Sequence, residues 1–508
     1  MKRSEKMTAR KPAGKSIAPL GRVPVGTSSQ LWHRLTLAAI LSLSTFLNFF
    51  RLAQEGYANL YYAAAVKSML ASWHNFFFVS FDPGGFVSVD KPPLGLWIQA
   101  ISARLFGFSG TSLLLPQALA GVLSLVLLYQ LVRRTMGPTA GLISALVLAV
   151  TPICVAANRN NTMDSVLVLV LLLAAWAALR AAERGRLRWL LICFVLVGLG
   201  FNIKMLQAFL VLPAFYLLYL VAAPAPWTRR FLHLAVATIL LLAVSMAWAV
   251  VVDLTPPDER PYVGSSQDNT VLELIIGHNG LQRLLPGGLR GILGSQTRQG
   301  PPPSQPLPQS PDRPSGRQAP SRAGNPPDQL VPGGPSTLGT GSARPLSSEI
   351  GEPGALRLFN RQLAGQISWL LPLACLGLVV ATWQTRFHSP LRRHHHSLLL
   401  WGTWWLTQAV FFSVANMFHR YYLGMMAPAI AALVGTGVAA ICKEYRRAEL
   451  RGWLLPLALV GSALVEAVIL VPFPVWSRWL TPLVVGLCLV VAALLVIARF
   501  TPQSTNAR

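Results

Sequence analysis

An all-α protein threaded repeatedly through a membrane is the fold class that this 508-residue sequence predicts, and three observations lead there. The first is composition: 53% of the residues are hydrophobic and only 12% charged, with a mean hydropathy of +0.49, where a soluble domain carries about 25% charged residues. The second is run length, because stretches such as Thr111 to Val132 and Phe231 to Val252 reach the roughly 20 apolar residues that cross a hydrocarbon core about 30 Å thick. The third is the placement of basic residues at every second junction between apolar runs. Backbone amides in lipid are satisfied within their own segment or in a closed barrel, and continuous rather than alternating apolar runs make these segments helices.

Twelve spans are predicted, beginning near Leu35, Thr111, Thr139, Met163, Trp189, Ala208, Phe231, Ile367, Ser397, Tyr422, Trp453 and Thr481. Basic residues gather in the N-terminal tail, at Arg133-Arg134, Arg180 through Arg188, Arg229-Arg230, Arg386 with Arg392-Arg393, Lys443 through Arg451, and in the C-terminal tail. The positive-inside rule puts these junctions and both termini in the cytoplasm of a multi-pass cell-membrane protein. The first apolar run follows eight basic residues and ends in bulky Phe49-Phe50 with no small-residue cleavage site, the pattern of an uncleaved anchor. Topology thereby accounts for the net charge of +25; no basic soluble domain or stacking platform points to nucleic acid. Cys154, Cys193, Cys375, Cys442 and Cys488 lie in or beside apolar runs without C-x-x-C spacing and read as packing residues. His394-His395-His396 falls on the inner side, where a surface loop is the expectation.

The chain divides into a basic cytoplasmic tail (1–34), an N-terminal transmembrane core (35–284), a Pro/Gly-rich outer loop (285–357), and C-terminal transmembrane helices with a short tail after Ala498 (358–508). Within the loop, Pro301 to Pro353 is about a quarter proline, a composition that buries too little apolar surface to offset chain entropy, so disorder without a catalytic role is expected. Flanking it, Val271 to Leu285 and Ala355 to Gln366 have the apolar spacing of short helices lying on the membrane surface.

The outer loops hold the candidate chemistry. The first carries Glu55, Tyr57, Asn59, Tyr61, Tyr62, Asp82, Asp90 and Lys91. Moving a sugar off a lipid phosphate takes a carboxylate to accept the acceptor's proton and a cation to stabilise the departing phosphate. Glu55, Asp82 and Asp90 suit the first task and Lys91 the second. Loop charges are ordinarily just solvated, an acid such as Asp164 at a helix start complements the dipole, and a lysine such as Lys204 at a helix end snorkels. What favours function is that Arg159, Asp164, Lys204, His278, His419 and Arg420 all fall on the same predicted side as the first loop.

The passages Tyr57 to Val66, Phe81-Asp-Pro-Gly-Gly-Phe-Val-Ser-Val-Asp-Lys-Pro-Pro-Leu, Asn158 to Asp164, His278 to Arg283, Arg357-Leu-Phe-Asn, Gln366 to Pro372 and His419-Arg-Tyr-Tyr resemble the bacterial relatives of protein O-mannosyltransferases and of the lipid A aminoarabinose transferase, multispan enzymes of the GT-C fold. The resemblance implies a membrane glycosyltransferase that moves a sugar, with inversion, from a polyprenyl-phosphate donor to an extracytoplasmic lipid, glycan or protein. It implies a first-loop acid as base, matched by Glu55, and a phosphate-contacting lysine, matched by Lys91. Asp90 and His278 match an acid and a histidine that hold a divalent metal in the aminoarabinose branch. The usual Asp-Glu pair of the first loop is not evident, so the base stays open among Glu55, Asp82 and Asp90. Substrate contacts are expected from Tyr57, Asn59, Tyr61, Tyr62, Lys91, Arg159, Asp164, Lys204, Arg283, His419, Arg420 and Tyr421.

A transporter or lipid flippase is the alternative, but such proteins place charges and broken helices near the midplane, often in two repeated halves, whereas polar residues here gather at one face. The topology makes a direct prediction. Cysteines introduced at Gly84 and Gly316 should react with an impermeant thiol reagent in intact cells and one at Ser389 should not; reaction at Ser389 alone reverses the orientation.

Overall fold

A computed structural model describes residues 27–281, 347–387, 390–447 and 449–500. Gly316, Arg283, Ser389 and most of Pro301 to Pro353 lie outside them. Among the described residues the protein is helical, with only the isolated bridges Ser80 to Ser88 and Val87 to Tyr262.

The first half comprises α1 (Thr27–Phe49), α2 (Leu60–Met69), α3 (Trp73–Phe77), α4 (Pro93–Phe106), α5 (Gly110–Met136), α6 (Pro138–Val150), α7 (Pro152–Asn158), α8 (Asp164–Arg184), α9 (Leu187–Lys204), α10 (Leu212–Ala222) and α11 (Trp227–Leu254). The helix α12 starts at Val271–Glu273 and continues in wider turns over Leu274–Leu281. After it come α13 (Leu371–Thr385), α14 (Arg393–Val414), α15 (Ala427–Tyr445), α16 (Leu454–Leu470) and α17 (Pro474–Phe500). Local chemistry sets many ends. Ser109 and Ser112 form a reciprocal capping box at the start of α5, and proline occupies the first turn of α4, α6 and α7, where its missing N–H costs nothing.

A helix stands at each of the twelve predicted places, yet among the described residues only nine are long and apolar enough to cross a membrane, ten if α6 and α7, bent by 62°, count as one span. The number twelve is therefore not confirmed. Two causes separate the counts. Leu187–Ala222 satisfies the criterion as a single 36-residue run although its backbone breaks at Met205, whose φ is 46°. In α14 the apolar residues are diluted by Thr403, Thr407, Gln408 and three tryptophans.

Small residues let the helices meet. A Cβ on Gly437 of α15 would fall on the backbone of Gly377 in α13, and one on Gly435 would collide with Ser144 and the Ala140 carbonyl of α6. Close backbone approach of this kind replaces the hydrophobic driving force that lipid removes. At the periphery α16 and α17 pack mainly on each other and turn Leu464, Val468, Leu483, Leu487 and Leu494 outward, as lipid-facing helices do.

Charge is sorted to two ends of the bundle. At one, Glu183 in the last turn of α8 pairs with Arg134 and, at 3.4 Å, with Arg393. The buried Glu444 accepts from Gln384 (2.8 Å) and Arg447 (3.1 Å) at this end too. His394 to His396 open α14 there, and His395 and His396 are buried rather than lying in the expected surface loop. The opposite end carries the first loop, the 158–164 turn, Lys204 and His419 to Tyr422. Val271, Leu274 and Ile275 of α12, and Leu358, Leu363 and Ile367 beyond it, are buried in the body instead of resting on a membrane surface. Residues 347–353, within the stretch expected to be disordered, include a helical turn at Ser347–Ile350 with Ile350 fully buried.

The glycine contacts predict a contrast. Gly437→Val should cost about 1–3 kcal/mol by overpacking and lower the thermal midpoint in detergent, while Gly461→Val in α16, with nothing within 4 Å, should leave it nearly unchanged.

Candidate active site

The site is assembled from three short backbone devices at the loop-bearing end. Residues 79–89 fold as a tight hairpin: Phe81 N–H donates to Val87 O (2.8 Å) and Val89 N–H to Val79 O (3.0 Å). Asp82 closes its turn by accepting from the N–H groups of Phe86 (3.0 Å) and Val87 (3.0 Å). The hairpin docks on the second outer loop, where Ser88 N–H donates to Tyr262 O (2.8 Å) and Tyr262 N–H to Phe86 O (2.8 Å). Gly264 permits this approach, since a Cβ there would overlap Ser88 O. Asp90 and Lys91 follow at once, and Pro92 and Pro93 start α4, so Lys91 is fixed between a hairpin and a helix.

The second device is the break after α9. Lys204 ends that helix, and Met205 adopts a left-handed φ of 46°, a conformation that costs a non-glycine residue about 1–3 kcal/mol and persists where its surroundings compel it. The reversal points Lys204 at Asp164, the first residue of α8: Nζ lies 2.5 Å from Oδ2, and both side chains are at least 95% buried. Neither the helix dipole nor snorkelling accounts for this pair. The ammonium also sits 4.6 Å and 4.1 Å from the ring centres of Tyr421 and Tyr422, within cation–π range.

The third device is an amide clamp. Asn59, which caps α2, donates its N–H to Asn161 Oδ1 (2.8 Å) and accepts from Asn161 Nδ2 on its carbonyl (3.0 Å). Gln99 of α4 donates to the Asn161 carbonyl (2.8 Å). The clamp ties the first loop to the 158–164 turn and so to Asp164.

These devices bring Lys91 and Lys204 to the wall of one cavity, shared with Gln207, Asn279, Gly280, Phe411, Met417 and Tyr422. Lys91 Nζ contacts the Asp90 carboxylate and, at 3.2 Å, the Asp90 carbonyl; Asn279 donates to the same carbonyl (3.3 Å). Tyr61 stacks on Phe81 (4.8 Å) with its hydroxyl 3.4 Å from Asp90 N. Burial, then the Asp90 charge, pushes the Tyr61 phenol up to about 12, and burial raises Tyr62 well above its usual value; both remain hydrogen-bonding O–H groups at neutral pH.

Glu55 stands elsewhere. Its carboxylate is 41% exposed and pairs with Arg159 at 2.8 Å, on a separate groove; Arg159 also donates to the Leu47 (3.1 Å) and Phe50 (2.9 Å) carbonyls. Tyr57 stacks on Phe108 (5.3 Å). His419 and Arg420 face Glu349 at 3.4 and 3.9 Å; the His419 hydrogen bond, above all, holds the Glu349 carboxyl below its usual range. Arg283 and the His278 side chain lie outside the described residues. Sequence reasoning missed Asn161, Gln207, Asn279, Tyr422 and Glu349. Asn161 and Tyr422 sit in passages already noted, but Glu349 is hidden in the Pro/Gly-rich stretch.

Of the two residues that the resemblance implies for a divalent metal, the His278 side chain lies outside the described residues. Among those residues no three His, Cys, Asp or Glu side chains converge, and the Asp90 carboxylate is engaged by the Lys91 ammonium.

A helical membrane body with one loop-covered end is a GT-C type of fold. The solved aminoarabinose transferase ArnT from Cupriavidus metallidurans, bound to undecaprenyl phosphate, matches 93% of this chain and 72% of its own with a TM-score of 0.53 at 19% identity. Residues 90–248 match the family described as dolichyl-phosphate-mannose-protein mannosyltransferase. Two Bacillus subtilis (strain 168) proteins are much nearer: "Putative mannosyltransferase YycA", 41% identical over 92% of this chain and 73% of its own length, and "Putative mannosyltransferase YkcB", 42% identical over 86% and 66%. The chain belongs to the family of these two proteins.

Asp82 supplies a pH prediction. Burial of Asp82 opposes ionisation, but the Val87 and Phe86 N–H bonds outweigh it and depress the folded pKa. Its stabilisation is complete above the unfolded value of about 3.9 and disappears as pH falls through the lower folded value. Asp82→Ala should thus lower the melting temperature at pH 7, and the difference from wild type should shrink in melts taken stepwise below pH 4.

Proposed function

We propose that this chain transfers a sugar, with mannose the first to test, from a polyprenyl-phosphate donor to an acceptor on the outer face of the cell membrane. The observation that carries this reading is the pair Lys91 and Lys204 on one cavity. Two fixed ammonium groups in a poorly hydrated site stabilise the charge that develops on a departing phosphate more than water does. Each ammonium carries three N–H donors, and its carboxylate partner, Asp90 or Asp164, orients it at the cavity wall where a phosphate would dock. Topology follows the positive-inside rule, with the Arg134–Glu183–Arg393 end and both termini cytoplasmic.

Among the three candidate bases, Asp82 is committed to a turn and Asp90 to Lys91. Glu55 is paired too, with Arg159, but its carboxylate is 41% exposed beside an open groove, and it is assigned the base. It takes the acceptor hydroxyl's proton as that oxygen attacks the anomeric carbon from the side opposite the phosphate; the bond from C1 to the phosphate oxygen breaks, and its electron pair leaves with the lipid phosphate. Configuration inverts. Tyr61, Tyr62 and Tyr421, kept as neutral hydroxyls or ring faces, suit contacts to the sugar.

Donor binding and transfer, measured separately at matched expression, test the assignment. Glu55→Gln should reduce turnover by about 10²–10⁴-fold, the usual worth of a general base, with donor affinity nearly unchanged. Lys91→Ala should weaken both. If Glu55→Gln keeps more than about half of wild-type turnover, the base is Asp90, and if labelled donor is never consumed, the transporter reading replaces this one.

A further inference from the structure

From the groove beside Glu55 we infer that the acceptor is a hydroxyl-bearing membrane lipid that enters sideways between α1 and the bent α6–α7 pair. This rests on the glycosyl-transfer reading and adds the acceptor's class. The groove is open to the surroundings, with Leu43, Leu47, Val150 and Val155 along its walls and the Glu55–Arg159 pair at its head. Its walls belong to membrane helices. Leu43 lies six residues before the end of α1 at Phe49, about 9 Å down the helix at 1.5 Å per residue, and the 62° bend between α6 and α7 opens the wedge beside it.

The groove adjoins a second cavity at the loop-bearing end. Ala156 and Asn160 line both, and the second ends at Tyr421, whose ring centre is 4.6 Å from Lys204 Nζ. A molecule with its head at Glu55 is therefore at the same end as the donor's phosphate site, with its stem in hydrocarbon. A peptide there would carry unsatisfied backbone groups into lipid, at several kcal/mol each, and a soluble glycan would lose its hydration without return. Alkyl chains with one terminal hydroxyl meet neither penalty. In the transfer the lipid O–H bond breaks with its proton going to Glu55, the lipid oxygen bonds to the anomeric carbon, and the polyprenyl phosphate leaves with the electron pair.

The full chain in proteoliposomes of total bacterial membrane lipid is given polyprenyl-phosphate-linked tritiated mannose, alone or with a water-soluble peptide and a soluble cell-wall glycan fraction. Glycosyl phosphates hydrolyse in mild acid and glycosides do not, so acid-stable label marks product. The expected result is acid-stable label in the lipid extract. Leu47→Trp and Val155→Trp, which fill the groove, should each lower it by about tenfold or more through misplacement of the acceptor, while undecaprenyl phosphate still binds as in the wild type. That retained binding shows the variants to be folded. Acid-stable label only in the peptide or glycan, or lipid product undiminished by both tryptophans, overturns the inference. Failure of the wild type to bind undecaprenyl phosphate instead overturns the donor reading beneath it.

Discussion

An ion pair taken out of water has to repay a desolvation cost of several kcal/mol per charge, and in this molecule the pair that meets that demand, Asp164 with Lys204, decides the shape of everything around it. One partner begins α8 and the other ends α9, so the two helices must present matching ends, and α9 must stop where it does. The strained turn at Met205 is the local cost of that arrangement. Tyr421 and Tyr422 complete the enclosure with ring faces, which replace some hydration of the ammonium without adding a second negative charge. Removing either member would leave the other charge buried alone, a change of about 3–5 kcal/mol.

Around this pair the protein uses two kinds of contact for two tasks. Within the membrane-crossing region, glycine and alanine let backbones touch, as at Gly377 with Gly437, and few polar groups are spent there. At the catalytic end, amides do the joining: Asn59 with Asn161, Gln99 with Asn161, Asn279 with Asp90. Amide pairs carry no net charge, so they fix loops without disturbing the field that an anionic donor meets.

Much of this was legible in the residues. Run length and basic junctions disclosed the membrane helices and the separation of loop-bearing and arginine-bearing ends, because hydrocarbon tolerates little else. The Asp-Lys-Pro-Pro passage drew notice to Lys91, since its motif is local, and Lys91 shares a cavity wall with Lys204. The span count of twelve is not confirmed, because Leu187–Ala222 passes as one apolar run across the Met205 break and α14 dilutes its apolar residues with polar ones and tryptophan. The Lys204–Asp164 contact, formed across 40 positions, was not legible: each residue alone fits an ordinary helix-end role, and only the break after α9 turns one toward the other. Glu349 escaped because a proline-rich composition says nothing of its last few residues, which fold against His419.

The docking of the first loop on the second has a consequence for how the protein is made. Ser88 Oγ accepts from Gly264 N–H across 176 positions, and Trp248 Nε1 donates to the Phe77 carbonyl across 171. The hairpin that aims Lys91 is thus completed by residues that leave the ribosome long after it does. During insertion the early helices can enter the bilayer while their lysine still lacks its final support. The contacts that hold the hairpin form only once α11 and the segment beyond it have arrived, so the position of Lys91 is settled late in the order of synthesis.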